Sequence, residues 1–321
     1  MARIQGKTTS EDYQYFAGID VSKAHLDLRV HGERRGQRFA NDKGGIAGVL
    51  AVLTTPHLVV FEPTGRFHIA LWRALAAAGH GTVPHDPARA RHLATGLGVL
   101  AKTDRLDAMI LARIAAEVAV KVKASPTDFE LNIMELFAAQ RAAVKRRAMV
   151  RNQREASFND MVKAQLDVEE ATQTVVIDAL TVELHSLFKA NPRTRRTRQI
   201  VMSIPGLAEG GAATILARLP EIGTLSRGEI AALSATAPMS RESGNWKGQA
   251  RPKGGRRDIK ASLHMCAIVA MTHNPDLKAF AEGMRKRGKH GFKIITAVLR
   301  KLLVLANALV AQDRTWTLQR P

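Results

Sequence analysis

The spacing of apolar side chains divides this chain into a strand-rich beginning and a helical remainder. Tyr15–Val21 reads as a buried strand, and His25–Val30 alternates apolar and polar side chains as a half-buried strand does. Glu33-Arg34-Arg35-Gly36 is a turn, and Gln37–Ala40 a third strand. Asn41 or Asp42 can cap a helix that runs to Leu53, and the apolar run His57–Phe61 fits a central strand. A helix over Phe67–Ala78 is stopped by Gly79, Gly81–Pro84 is a short strand, and Pro87–Thr95 is a helix. Thr103 caps a further helix that ends near Val120. The first three strands fit an antiparallel meander and the later ones βα crossovers.

From Thr127 to Asn191 there is no Gly and no Pro, so this stretch reads as long helix. Unbroken, it would reach roughly 95 Å. A bend near Asp167-Val168-Glu169-Glu170 would instead give two antiparallel helices. Arg141, Lys145, Arg146, Arg147, Arg151 and Arg154 make part of it basic, which suits a solvated surface or a nucleic-acid contact equally. Asn191–Arg198 reads as a linker. Ile200–Leu207 and Gly210–Ala217 then resemble a helix-hairpin-helix, whose backbone N–H groups meet DNA phosphates without reading bases. Two further helices are expected over Asp258–Met271 and Phe292–Val310. Residues 1–14 are polar and are expected to lack order. The expected domains are 15–125, a helical segment 126–192 and a basic domain 193–321.

Charge sharpens this division. The 321 residues carry a net +19, of which residues 193–321 supply +15, with 23 Lys/Arg against 8 Asp/Glu. The C-terminal part is thus the expected footprint on a polyanion. Cys266 is the one cysteine, which excludes an intramolecular disulfide and a thiolate zinc site. The start of the chain has no signal-peptide core, and Leu302–Ala311 is too short to span a bilayer. No membrane is expected, and the cytoplasm is the simplest location.

Against that basic background four acids stand out. Asp20 and Glu62 end apolar runs, and Asp104 and Asp107 are three apart on one helix face. Any one alone is an ordinary cap or turn former. Together they can converge on hard divalent cations such as Mg²⁺, which take oxygen ligands and polarise a phosphodiester. The element order is that of the ribonuclease-H-like fold, which places acids at these positions. Asp27, on the alternating second strand, is expected to face solvent, and Asp86 to cap a helix.

A nucleophile is sought among hydroxyls. Ser243 lies in a Gly-flanked basic segment in which Arg241, Lys247, Arg251, Lys253, Arg256 and Arg257 could neutralise phosphate charge. Ser240 and Ser203 remain alternatives. Tyr13 and Tyr15, the only tyrosines, lie far from the basic region, which disfavours a tyrosine nucleophile.

Gly18-Ile19-Asp20-Val21-Ser22-Lys23, Phe61-Glu62-Pro63-Thr64-Gly65, Lys102-Thr103-Asp104-Arg105-Leu106-Asp107, Ile204-Pro205-Gly206 and Ala237-Pro238 with Ser243-Gly244 follow one another in order. In these motifs the chain resembles the DEDD-type insertion-sequence transposases, which include the pilin-gene invertases. The resemblance implies an α/β, RuvC-like N-terminal domain whose Asp20, Glu62, Asp104 and Asp107 hold Mg²⁺. It implies a coiled-coil segment and a mostly α transposase domain whose Ser243 links covalently to cleaved DNA. It also implies a tetramer acting on double-stranded target and donor DNA, composite sites shared between protomers, and a structured non-coding guide (bridge) RNA. Action at the bacterial nucleoid follows. A junction-resolving nuclease using water, and a non-catalytic nucleic-acid-binding protein, are the rival readings.

Overall fold

The computed structural model describes residues 9–99, 101, 103–240, 242–244 and 246–318. The chain divides into two compact units, Met1–Thr127 and Asp128–Pro321.

The first unit is built on a five-stranded sheet of order β3-β2-β1-β4-β5. Its strands are β1 (Tyr15–Val21), β2 (His25–Val30), β3 (Gln37–Ala40), β4 (His57–Phe61) and β5 (Gly81–Pro84). β1, β2 and β3 pair antiparallel, whereas β4 runs parallel to both β1 and β5. Its helices are α1 (Lys43–Val52), α2 (Ile69–Ala77), α3 (Pro87–Gly96) and α4 (Asp104–Glu117). Side-chain alternation sends the apolar residues of the central strand β4 to both faces of the sheet. Ala17, Ile19, Val59 and Phe61 pack with α1 and α2 on one side. Leu58 and Val60 pack with α3 and α4 on the other. That three-layer, mixed α/β arrangement is compatible with a DEDD nuclease fold.

The residues just before β1 depart from the expected disorder. Ser10–Asp12 form a 3-10 turn, Ser10 N–H donates to Val120 O at 3.1 Å, and Tyr13 is buried. The Tyr13 ring lies against Gly81, where a β-carbon would come within 2.5 Å of it. Burial of one aromatic ring fastens the segment.

α4 lies unusually close to the sheet. A β-carbon built on Gly18 would sit 2.2 Å from Ala112 N and 2.3 Å from Ala108 O. These are backbone atoms of α4, so the helix can pack here only because residue 18 has no side chain.

The second unit is mostly helical. α5 (Asp128–Ala156) and α6 (Asp160–Ala190) form an antiparallel hairpin. Gln140 bonds to Thr181, Arg147 to Thr174, Arg151 to Glu170 and Arg154 to Asp167. The reversal falls at Ser157–Asn159, not near Asp167–Glu170 as expected. Asn159 caps α6 by accepting from Val162 N–H, and Asp167 and Glu170 are needed inside that helix to meet the arginines of α5.

The expected linker is also helical. α7 (Pro192–Met202) starts at Asn191, which caps it, with Pro192 in the first turn. α7 joins α8 (Glu209–Arg218) through a turn in which Gly206 has φ +106° and lies against Ala270. α9 (Arg227–Leu233) follows, then two short ribbons that pair β6 (Pro238–Met239) with β9 (Arg251–Pro252) and β7 (Glu242–Ser243) with β8 (Trp246–Lys247). The helix expected over Asp258–Met271 is two, α10 (Arg257–Ser262) and α11 (His264–His273). α12 (Pro275–Lys286) and α13 (Gly291–Ala311) close the unit. α13 is apolar enough in composition to cross a membrane, with a mean hydropathy of 2.0. Here it is a core helix that buries Ile294, Val298, Leu299, Leu302 and Leu303. Its Asn307 accepts from Gly223 N–H and donates to Leu225 O.

Replacing Gly18 by Ala forces α4 off the sheet. The expected cost is about 2–3 kcal/mol, read as a lower urea midpoint for the first unit of the full-length chain.

Candidate active site

Alternation along the strands selects the acidic site. Gly18 and Asp20 share the face of β1 that α4 covers, and Glu62 follows Leu58 and Val60 on the same face of β4. Glu62 N–H donates to Ile19 O at 3.3 Å, which sets the two strand ends side by side. Thr103 caps α4 by accepting from Leu106 N–H, and this fixes the first turn that carries Asp104 and Asp107. Of the four acids expected from the sequence, Glu62, Asp104 and Asp107 are near enough for their charges to act on Asp20.

Their mutual repulsion is visible at Asp20. Burial first, then the negative charges of Glu62, Asp104, Asp107 and Asp27, push its carboxyl up to about 6. Carboxylate oxygens of Asp20, Asp27 and Asp104 lie within 4.8 Å of one another. An oxygen-only cluster that penalises its own ionisation is compatible with a divalent cation.

Asp27 was expected to face solvent and does not; its exposure is 5%. In the sheet register it stands directly opposite Asp20, and cross-strand partners project to one face. Helices cover both faces of this sheet, so alternation alone could not reveal which one lay open. Arg38 is the other residue missed. It pairs with Asp27 through two nitrogens and reaches Asp104 Oδ2 at 2.8 Å. The β2–β3 register, Asp27 opposite Arg38, was the signal that could have found it.

The candidate nucleophiles lie in the second unit. Ser243 is exposed and ends β7, with Gly244 at φ +55° beside it. The outer β6–β9 pair and the inner β7–β8 pair are nested, so Ser243 sits near the tip of a ribbon arm. Ser240 is exposed on the same arm. Ser203 is not available as a nucleophile, because its hydroxyl donates to Ile200 O at 2.6 Å and accepts from Trp316 N–H at 2.7 Å.

Arg251, Lys253 and Arg257 are exposed around the arm's base. Arg256 differs from them. It makes a fork to both oxygens of Glu221 and a bond to Arg218 O, anchoring the arm to the α8–α9 connection. Arg241 lies outside the described residues, as does the side chain of Lys247.

Known proteins match both units. A model of DEDD-type IS110 transposases fits residues 17–161, and the model described as "Transposase IS116/IS110/IS902 family" fits residues 198–282. The chain belongs to this family of insertion-sequence transposases. A pilin gene-inverting protein of Moraxella bovis is 25% identical over 319 residues, covering 93% of this chain and 96% of its own length. The pilin gene-inverting protein of Moraxella lacunata matches over the same extent. An insertion element IS110 protein of Streptomyces coelicolor is 23% identical over 146 residues, covering 44% of this chain and 35% of its own. DNA strand cutting and rejoining is the activity of this family, and the acidic cluster lies within the DEDD match.

A raised Asp20 carboxyl means that the folded transposase holds this proton more tightly than the unfolded chain. Stability therefore falls as pH rises from about 4 through about 6. Asp20→Asn should stabilise the metal-free chain at pH 7.5 by about 1 kcal/mol, after discounting for partial exposure, and make no difference near pH 4. Thermal melts at the two pH values check this. Added Mg²⁺ should raise the parent's melting temperature and leave that of the variant unchanged.

Proposed function

We propose that this transposase is a site-specific recombinase in which Ser243 attacks the DNA backbone and Asp20, Glu62, Asp104 and Asp107 hold Mg²⁺ at the reacting phosphate. The observation that carries the reading is the gathering of carboxylates around Asp20, whose pKa burial and then these neighbours raise to about 6. Bound Mg²⁺ there would polarise a phosphoryl oxygen and stabilise developing charge.

The serine chemistry balances without an external energy source. The Ser243 oxygen bonds to phosphorus, the bond from phosphorus to one deoxyribose oxygen breaks, and the serine proton is transferred to solvent or to the departing oxygen. A phosphoserine diester and a free strand hydroxyl result. Attack by another strand's hydroxyl on that phosphorus rejoins DNA and frees the serine. The exposed tip of the ribbon arm suits a group that must enter a duplex backbone, and Arg251, Lys253 and Arg257 suit the flanking phosphates. Gly210, in the first turn of α8, faces open space, which favours a backbone phosphate contact of the helix-hairpin-helix type.

Acids and serine belong to separate units of the chain. That separation supports composite sites assembled from different protomers of a tetramer, with the α5–α6 hairpin as a coiled-coil element. In this reading a structured guide RNA pairs with target and donor DNA. Sequence choice then needs few base-reading side chains, as in other guided systems.

Ser243→Ala should abolish protein–DNA adducts on a denaturing gel while Mg²⁺-independent DNA binding persists. Glu62→Gln and Asp107→Asn should each lower adduct yield at least about 100-fold. Adducts that persist in Ser243→Ala, or cleaved DNA with free ends and no attached protein, would refute the serine step.

A further inference from the structure

Part of the positive charge of the first unit is concentrated in one place among the described residues. Beside the acidic cluster lies a surface cavity of about 430 Å³, lined by Arg29, Arg34, Arg35, Arg38 and Arg105. Three elements supply them. Arg29 is on β2 opposite Gly18 and Arg38 on β3 opposite Asp27, so both share the α4 face of the sheet. Arg34 and Arg35 come from the exposed β2–β3 turn, and Arg105 from the first turn of α4.

Arg38 is committed to Asp27 and Asp104. Arg29, Arg34, Arg35 and Arg105 have no carboxylate partner among the described residues. Four unpaired guanidiniums around one cavity repel each other and lack their usual anionic partner. Their forked donors match phosphate oxygens. Gly36 lines the same cavity, and a β-carbon there would come within 2.9 Å of Leu28 O, so glycine lets the turn lie against β2. A cavity this size admits a phosphodiester group with its sugar, and it is too polar for an apolar ligand.

We propose that this arginine cavity is a phosphodiester subsite that grips a DNA strand next to its reacting phosphate. All of its arginines belong to the first unit. Asp27 lines the cavity and also belongs to the acidic cluster, and Arg38 joins the two sites through Asp104. A strand held by Arg34, Arg35 and Arg105 is therefore delivered to the acids. Assignment to the processed DNA strand rests on the catalytic reading of the acids. The binding of a phosphodiester does not.

The test uses the full-length chain and two labelled probes of equal length, a DNA duplex and an RNA hairpin. Ca²⁺ replaces Mg²⁺ so that binding is read without strand cleavage. Arg34→Ala/Arg35→Ala/Arg105→Ala should weaken DNA binding about tenfold or more at 150 mM salt. It should also reduce the slope of log affinity against log salt by about 2–3, as expected when three phosphate contacts are lost. The triple Lys variant should recover most of the slope, because charge is kept while the fork is lost. An unchanged melting temperature shows that folding is intact; these side chains have no structural partners, and if the triple variant melts lower, Arg34→Ala/Arg35→Ala in the exposed turn gives the reading. An unchanged DNA slope overturns the proposal, and so does a loss confined to the RNA probe. Because this readout needs no serine adduct, failure of the covalent mechanism would leave the slope change in place.

Discussion

The site depends on how closely one helix approaches one strand. α4 meets β1 at Gly18, with backbone of residues 108 and 112 where a side chain would otherwise stand. That contact brings the first turn of α4 over the end of β1, and with it Asp104 and Asp107 toward Asp20. The rest follows from alternation. Once α4 covers the Gly18 face, Asp20 and Glu62 are committed to the same side as the helix, and the β1–β2 register adds Asp27. Apolar burial supplies the free energy that holds like charges together. Burial first, and then the neighbouring carboxylates, raise the Asp20 carboxyl to about 6.

Charge relief comes in two forms at this place. Arg38 neutralises Asp27 and touches Asp104, while the half-buried Asp20 has no such guanidinium partner among the described residues. A divalent cation fits the unmet part of that demand. The arginine cavity shows the complementary situation a short distance along the same face, with positive charge in search of an anion. A nucleic-acid backbone and a metal ion together would satisfy both.

Much of this was legible in the sequence, for identifiable reasons. Strand periods, the Thr103 cap and the strand-end positions of Asp20 and Glu62 are local signals, and the five strands of the first unit stand where the pattern predicts. Asp27 was expected at an open face because alternation says that two residues face opposite ways, not that helices cover both faces. Arg38 was invisible until the strand register paired it with Asp27. The hairpin reversal at Ser157–Asn159 carried a capping signal in Asn159, but without Gly or Pro it was outweighed by the acidic run further on. In Asn191-Pro192 the same pairing of cap and proline that starts a helix was read as a linker. Arg256 looked like a DNA contact by composition, and only its fork to Glu221 shows an anchor.

The most direct test is crystallographic. The transposase should be crystallised with DNA and Mn²⁺, with anomalous scattering measured to locate the ion. Manganese bound by carboxylate oxygens of Asp20, Glu62, Asp104 and Asp107, with Arg38 withdrawn from Asp104, is the expected result. A map with no manganese at these acids, and Arg38 still bridging Asp27 and Asp104 beside bound DNA, would contradict it.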